Sequence, residues 1–453
     1  MQEESLDSFI KEININLDKI GLRPFSEYEL RDIIFPKYLH AINVGINRHG
    51  DPTNEDGGLL AIPTDVELIT KEQFQNVPVG KKVITCSYGG TNWVTSLVRK
   101  TDDIKTEIYK ENMIYIPRKQ RNIRFQDFIL KMAEQIYNIL QEEDKDEFQF
   151  VGISLGFPHR NVRTEYGIDA YFLRQKLPKS WIVRDFHKLP FPSLIGKLFL
   201  EKLLTTYSLP NIKYVYFLND ANSVAQQLPG KDEFGEYPVG FVFGTGSNAA
   251  LKQWNLEAGK FIMPQELDLD RRIDEKMIEL GLVHTQKKFI EHFHGGDYIR
   301  YRIASALSIL SEDKIISNRI AEWMIQQEDA SIVSRLASGD MSYDDFLDFN
   351  LVEEETEARR IYVILKECST RALIQAGQTI GVMIASVLKS AEYNTGDIAV
   401  PVEGAVYWKG YGIQEQSQKV INLLIPENNI SMIKASSVVG LAQFLMVQES
   451  YVK

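Results

Sequence analysis

Cysteine is scarce in this sequence, and its histidines are not spaced as metal ligands. The 453 residues include two cysteines, Cys86 and Cys368, and no Cys-x-x-Cys pair. Two isolated thiols exclude a disulfide scaffold and a cysteine-rich zinc site. The histidines at 284, 292 and 294 show no HxxxH or HExxH spacing, so we interpret them as ordinary, mostly exposed residues. The sequence therefore predicts no metal-ligating cluster.

Positive charge and long apolar runs are also in short supply. The formal net charge of −11 argues against nucleic acid and anionic membranes as partners. A nucleotide substrate is still compatible with this charge, because its site is local and metal ions can balance it. No run approaches the roughly 18 apolar residues of a membrane span, and residues 1–5 do not begin a basic-then-apolar signal peptide. We therefore expect a cytoplasmic protein with no membrane partner.

The chain does have enough apolar residues for a large core. Hydrophobic residues make up 44% of the composition and charged residues 25%, and the length favours two lobes. A strand, hairpin, strand, helix and strand are predicted within 80–220, and a hairpin at 239–254 restarts the pattern. Helices follow, the longest at 355–392, which we expect to break near Gly377 or Gly381. This order predicts a duplicated α/β lobe with helical insertions in the second copy.

Two glycine-hydroxyl turns of the same kind each follow an apolar run. The first turn is Gly89-Gly90-Thr91-Asn92, and the second turn is Gly244-Thr245-Gly246-Ser247-Asn248. A β-rich run follows each of them, which predicts two β-hairpins. Glycine lets the backbone approach a ligand closely, and concave runs of N–H groups attract anions. The pair predicts opposed lobes that hold one phosphate chain.

A carboxylate follows the predicted strand at 214–218. Asn219-Asp220 lies at the carboxyl end of that strand, where ligands bind in α/β sheets. Asp220 could accept a hydroxyl proton as a general base. It could equally cap the helix that starts at Ala221, and the two roles are compatible.

A second polar pair follows the second turn. Asn255 and Glu257 alternate with Leu256, which places them on one strand face. Amide and carboxylate groups together suit the hydroxyls of a polyol. The simpler interpretation is a solvated strand edge.

These features together resemble the hexokinase family, the eukaryotic-type two-lobed sugar kinases of the actin-like ATPase superfamily. The resemblance covers about 60–445, in the order and spacing of the family's motifs. The stretches that carry it are Ile62–Thr64 (LPT in the family), Ser87–Asn92 (DLGGTN), Asn219-Asp220 (ND), Gly244–Ala249 (GTGTNA), Asn255–Phe261 (NxEWGAF), Asp270 and Asp274 (FDxxVD), Glu403–Tyr407 (VDGSVY) and Ser437–Gly440 (GSGxGAA).

The resemblance implies a two-lobed actin-like ATPase (ribonuclease-H-like) α/β fold. In this fold a duplicated mixed sheet carries helices on its faces, and a ligand cleft lies between the lobes. By analogy, residues 80–219 and 436–453 form the small lobe, and residues 1–79 and 220–435 form the large lobe.

The resemblance also implies phosphoryl transfer from ATP with Mg²⁺ to the 6-hydroxyl of a hexose, within a cleft that closes around both substrates. Asp220 would be the catalytic base, with Arg184 in place of the family's lysine. Sugar-binding residues would be Asn219, Asn248, Glu257 and Glu291. Phosphate and ATP would be held by Gly89, Gly90, Thr91, Asn92, Gly244, Thr245, Gly246, Ser247, Ser437 and Gly440.

The sequence departs from the family's pattern at four places. Ser87 replaces the aspartate of DLGGTN, which helps position the metal ion in the family. Gly156 replaces the serine of a sugar loop, the family's WTKGF becomes the longer stretch 181–186, and Glu291 is one residue out of register with the second sugar glutamate.

These departures keep an alternative open. The chain could be a weakened or inactive relative that binds sugar or nucleotide as a sensor. The retained Asp220, second turn and Glu257 favour an active kinase. Zinc-binding bacterial glucokinases are disfavoured, because two isolated cysteines cannot form their metal site.

Overall fold

A computed structural model describes residues 3–48, 58–64, 66–117, 120–173, 182–185, 188, 192–228, 239–267, 272–327, 329–392 and 396–451. Trp181, Phe186 and Asp270 lie outside these described residues.

The described strands form two large mixed sheets and one small sheet. The strands are β1 (Ile62–Pro63), β2 (Lys82–Tyr88), β3 (Asn92–Lys100), β4 (Thr106–Tyr115), β5 (Asn122–Arg124), β6 (Phe150–Leu155), β7 (His159–Thr164), β8 (Gly167–Phe172), β9 (Ile182–Arg184), β10 (Tyr214–Asn219), β11 (Val239–Phe243), β12 (Ser247–Leu251), β13 (Trp254–Asn255), β14 (Gly396–Glu403) and β15 (Asn428–Lys434).

Helices cover much of the rest, and a π-helical turn at Glu29–Ile34 leads into the second of them. The helices are α1 (Glu3–Lys19), α2 (Phe35–Asn47), α3 (Lys71–Gln75), α4 (Phe125–Ile139), α5 (Ile195–Tyr207), α6 (Asp220–Ala225), α7 (Arg272–Glu279), α8 (Glu291–His294), α9 (Gly296–Glu312), α10 (Asn318–Gln326), α11 (Ser331–Ser338), α12 (Tyr343–Leu347), α13 (Glu355–Ser390), α14 (Ala405–Lys409), α15 (Ile413–Leu424) and α16 (Ser437–Ser450).

The two large sheets repeat one arrangement. The seven-stranded sheet has the order β4-β3-β2-β6-β10-β8-β7, and the six-stranded sheet has the order β1-β13-β12-β11-β14-β15. In each, an antiparallel three-stranded meander continues into two parallel strands, β6 and β10 in the first and β14 and β15 in the second. The duplicated mixed sheet predicted from the sequence is therefore confirmed.

Each sheet has its own apolar core. The seven-stranded sheet packs against α4 and α5 on one face and against α16 on the other. Buried residues from Val66 to Val77 share the α16-side core, although the sequence places residues 1–79 in the large lobe. The six-stranded sheet packs with α1, α2 and the helices from α7 to α15. In both sheets the cleft lies at the carboxyl ends of the strands, at the end of β10 in the seven-stranded sheet and of β14 in the six-stranded sheet.

The long helix α13 is continuous, so the predicted break near Gly377 or Gly381 is wrong. It runs unbroken over 36 residues. A Cβ on Gly381 would lie 2.7 Å from the carbonyl oxygen of Ser417, and one on Gly377 would lie 2.6 Å from the Cβ of Gln416. Both glycines therefore let α15 approach the backbone of α13 closely, which is a packing role.

The substitution Gly381→Ala is expected to destabilise the protein by about 1–3 kcal/mol, because the new methyl overpacks the contact with α15. At an exposed helix position the same change would stabilise by about 1 kcal/mol. Urea unfolding measures the difference. The new methyl would lie 2.7 Å from the carbonyl oxygen of Ser417 and 2.8 Å from the Cβ of Val420, so truncating Val420 to alanine would not relieve either contact. An unchanged unfolding midpoint in Gly381→Ala would contradict this close packing.

One described helix, α13, is long and apolar enough to cross a membrane by length and composition. In its most apolar stretch, 89% of the residues are buried inside the protein. A core helix meets the same criteria, so this is weak support for a membrane span.

Candidate active site

The two glycine turns face each other across the cleft. The first turn joins β2 to β3, and the second joins β11 to β12, so both predicted hairpins are confirmed. The hydroxyl oxygens of Thr91 and Thr245 are in hydrogen-bond contact. The amide of Gly244 donates to the carbonyl of Gly246 at 2.9 Å, and a Cβ on Gly244 would meet nothing within 4 Å. The second turn is therefore tight and open to the cleft.

Asp220 lies at the end of β10 and begins α6. Asn219 is the N-cap of α6, since its side chain accepts a hydrogen bond from the amide of Ala221 at 3.1 Å. The Oδ1 atom of Asp220 accepts from the same amide at 2.8 Å. A Cβ on Gly156 would lie 3.1 Å from the Oδ2 atom of Asp220. The glycine at this position thus leaves room beside the carboxylate.

A polar array connects Asp220 to Glu257, and its members are Asn219, Asp220, Asn248, Asn255 and Glu257. The amide of Asn248 donates to Asn219 at 2.9 Å, to Asn255 at 2.9 Å and to Asp220 at 3.4 Å. The amide of Asn255 donates to the Oε1 atom of Glu257 at 3.1 Å. The structure therefore brings these five predicted residues together.

Asn255 and Glu257 are each 1% exposed, so the solvated strand edge considered above is excluded. Glu257 has a φ of 41°, in the left-handed region that non-glycine residues rarely adopt. This conformation turns the chain after β13 and returns the carboxylate to Asn255. Backbone strain of this kind is often concentrated at functional sites.

Glu291 lies beside the second turn and forms a buried ion pair with Lys260. Its Oε2 atom lies 3.5 Å from the position of a Cβ on Gly246 and 2.7 Å from that of a Cβ on Gly259. The predicted residue Glu291 thus lies beside Gly259, next to Ser247 of the second turn. Sequence reasoning missed Lys260 as part of the site, although a lysine within an otherwise small and apolar turn was the available signal.

His294 anchors the second turn from behind, so its interpretation as mostly exposed is wrong. It is completely buried, and His292 is 4% exposed. The Thr379 hydroxyl lies within hydrogen-bond distance of the Gln375 and Ala376 carbonyls and of His294 Nδ1, at 3.0 Å. Assigning its single proton to a carbonyl makes Nδ1–H the donor to Thr379 and Nε2 the acceptor from the Ser247 hydroxyl at 2.7 Å.

Burial lowers the pKa of both His292 and His294 to about 3, and the charge of Lys260 adds to the shift at His292. Both rings are therefore neutral near pH 7.

Ser87 is linked by one residue to a carboxylate of the other sheet. Its hydroxyl lies 3.1 Å from the hydroxyl of Ser437, at the start of α16. The Ser437 hydroxyl donates to Glu403 Oε1 at 3.3 Å, and its amide donates to Oε2 at 3.1 Å. Burial raises the pKa of Glu403 to about 7, and the negative charge of Asp220 raises it further. The hydrogen bonds from Ser437 act in the opposite direction and lower it. Sequence reasoning matched Glu403 to a motif without giving it a role.

The remaining predicted residues have mixed surroundings. Gly440 lies in the contact between α16 and α6, where a Cβ would lie 2.8 Å from the amide nitrogen of Gln227 and would collide with the carbonyl of Ser223. Arg184 is exposed on β9, in register with Arg124 of β5. Gly89, Gly90 and Asn92 lie in the first turn as predicted.

No group of three or more histidine, cysteine, aspartate or glutamate side chains that could hold a metal ion occurs in the described parts of the chain. Asp274, from a family motif, is part of a structural ion-pair cluster with Lys288 and Arg302.

Comparisons with known proteins show the fold. Hexokinase from Schistosoma mansoni, complexed with glucose, is 18% identical, with a TM-score of 0.72 over 97% of this chain and 99% of that chain. A second hexokinase structure is 14% identical, with a TM-score of 0.69 over the same shares. Neither protein-family models nor curated proteins give a match. This chain therefore has the two-lobed fold of the hexokinases, the actin-like ATPase fold predicted from its sequence.

Proposed function

We propose that this protein transfers the γ-phosphoryl group of ATP to the 6-hydroxyl of a hexose, with Asp220 as the general base. The observation that carries the proposal is the polar array, which joins Asp220 to Glu257 beside two opposed glycine turns. The glucose bound by the Schistosoma hexokinase supports a hexose as the acceptor.

The polar array suits a sugar because it combines donors and acceptors within a buried wall. Its amides and carboxylates can each pair with a hydroxyl, which both donates and accepts. A site with buried polar groups binds poorly any molecule that leaves them unpaired. We therefore expect sugar binding by Asn219, Asn248 and Glu257, with Glu291 held at the edge by Lys260.

Asp220 is placed to take the proton of the attacking hydroxyl. It is partly exposed, whereas its neighbour Asn219 is 1% exposed. Its Oδ1 atom accepts from the amide of Ala221, while Oδ2 lies beside the space left by Gly156. A partly exposed carboxylate that a backbone amide holds in place can orient and deprotonate a hydroxyl.

The two turns and α16 suit the nucleotide. Phosphoryl transfer depends mainly on positioning and charge neutralisation. Mg²⁺, which commonly enters such sites with ATP and is held by one or two carboxylates plus phosphate oxygens, would neutralise developing charge. Asp220 and Glu403 are carboxylates near the turns, so the donor set fits that ion. The first turn, the second turn, Ser437 and Gly440 would border the phosphates and the nucleoside.

The proposal is tested with purified protein, Mg²⁺-ATP and a panel of hexoses and hexosamines. We expect ADP release that depends on the sugar, and a sugar 6-phosphate as the product. Absence of transfer to every member of the panel would contradict the proposal.

A binding-only sensor is the second candidate, and Ser87 favours it. Ser87 offers a neutral hydroxyl where the resembling motif has a carboxylate. Under this alternative, wild-type protein binds sugar or nucleotide without transfer, and Ser87→Asp creates a large gain in turnover. Wild-type turnover that collapses in an Asp220 variant would exclude it.

We expect Arg184→Ala to lower the rate of phosphoryl transfer by about 10²-fold, the usual cost of removing one donor that stabilises transition-state charge. Arg124→Ala is the matched control, since Arg124 is the exposed in-register neighbour of Arg184 on β5. Initial rates at saturating sugar and Mg²⁺-ATP compare the two variants. Equal rates in both would remove Arg184 from the proposed machinery.

A further inference from the structure

Three elements meet at the side of the first turn, and they bring a carboxylate to Ser87. Ser87 lies on β2, Ser437 begins α16 and Glu403 ends β14 of the other sheet. The Ser437 hydroxyl lies 3.1 Å from the Ser87 hydroxyl and donates to Glu403 at 3.3 Å. One hydroxyl therefore separates the neutral residue from a carboxylate.

The carboxylate of Glu403 has no cationic protein partner among the described residues. Its hydrogen bonds come from the amide and hydroxyl of Ser437, one to each oxygen. Each carboxylate oxygen accepts at two lone pairs, so acceptor capacity remains on both. Buried or partly buried carboxylates are normally paired with a cation or coordinate a metal. The negative charge of Asp220 acts on the same group.

A second polar group in this region is a hydroxyl with no hydrogen-bond partner among the described residues. It belongs to Ser154, which is completely buried. On the parallel neighbour strand β6 it is in register with Ser87, so both side chains project from the same face of the sheet. Mg²⁺ usually keeps several of its waters, which need such hydroxyl and carboxylate partners.

We propose that Glu403 supplies the carboxylate for the Mg²⁺ ion of the bound nucleotide, in place of the one that Ser87 lacks. This inference rests on the proposed function and names the residue that would bind the Mg²⁺ ion required for phosphoryl transfer. Ser437 positions the carboxylate by fixing both oxygens. Ser87 would offer its hydroxyl to the waters of the ion, and Ser154 lies beside Ser87 on the neighbouring strand.

The competing role for Glu403 is a cap for α16, since its carboxylate accepts from the amide of Ser437. A carboxylate at a helix N-terminus is favourable without any metal. The substitution Glu403→Gln separates the roles, because glutamine retains an acceptor for that amide and loses the charge that a metal ion needs.

The experiment measures the affinity for ADP by titration calorimetry, with Mg²⁺ and separately with EDTA. The ratio of the two affinities is the gain that the metal gives. We expect Glu403→Gln to reduce this gain by about 10–100-fold, the usual cost of losing a group that supports a bound metal. ADP affinity in EDTA and affinity for the sugar should not fall. Asp397→Asn, at the exposed opposite end of β14, is the matched control and should keep the gain.

The double variant Ser87→Asp/Glu403→Gln moves the carboxylate from position 403 to position 87, on the other side of the Ser437 hydroxyl. Recovery of the Mg²⁺-dependent gain would support one shared ion, and a double variant as weak as Glu403→Gln would contradict it. An unchanged gain in Glu403→Gln, with wild-type protein still transferring phosphoryl groups, would overturn this inference and leave the proposed function standing. Wild-type protein that binds no ADP under either condition would contradict both.

Discussion

Replacing Asp220 with asparagine is expected to lower kcat for phosphoryl transfer by about 10²–10⁴-fold, the usual contribution of a general base. The amide oxygen of asparagine can still accept from the amide of Ala221, so the start of α6 should be preserved. What is lost is a group that can take the proton of the attacking hydroxyl. Steady-state rates at saturating substrates measure the effect.

The control for Asp220→Asn is binding. Sugar affinity should change little, because Asn219, Asn248 and Glu257 retain their hydrogen bonds. Asn248→Ala should have the opposite profile, with weakened sugar binding, because that amide links three members of the polar array. An Asp220→Asn variant with wild-type kcat would exclude Asp220 as the base.

The protein is expected to lose stability in mild acid through His292 and His294. Burial lowers the pKa of each ring to about 3, from an unfolded value near 6.5. A group whose folded pKa is lowered in this way contributes stability above pH 6.5, and that contribution is lost as the pH falls toward 3. Each histidine should therefore remove about 2 kcal/mol from the free energy of unfolding between pH 6.5 and 5.

The measurement is urea unfolding of wild type, His292→Gln and His294→Gln at pH 7.5 and pH 5. Each variant should have a smaller acid loss than wild type by about 2 kcal/mol. Variants must be compared because a second group acts in the opposite direction. The pKa of Glu403 is raised to about 7, so its protonation stabilises the folded protein over the same interval as the pH falls. His284→Gln is the control, since His284 is exposed. Equal acid losses in all four proteins would show that the buried rings do not titrate as expected.

Much of the fold could be predicted from local sequence. Both hairpins have apolar runs on either side of a glycine turn, and their strands pair antiparallel as predicted hairpins do. The polar array was also accessible, because Asn219-Asp220 and Asn255–Glu257 lie at strand ends where short-range pattern gives position. The roles of the individual site residues and the lobe boundaries remain predictions.

The rest of the site depends on contacts between distant parts of the chain. Lys260 pairs with Glu291, and His294 meets Thr379, which lies 85 residues further along the sequence. No periodic pattern encodes such pairs, since each depends on how two elements pack. Gly381 shows the same limit, because a glycine that suggests a break in isolation is required by the neighbouring helix.

The contact between Thr91 and Thr245 joins the tips of the two turns directly. Under the proposed function, a phosphate chain that binds both hydroxyls would replace their mutual hydrogen bond. Such a bond contributes about 1 kcal/mol net, so under the proposed function its loss would lower nucleotide affinity by roughly fivefold.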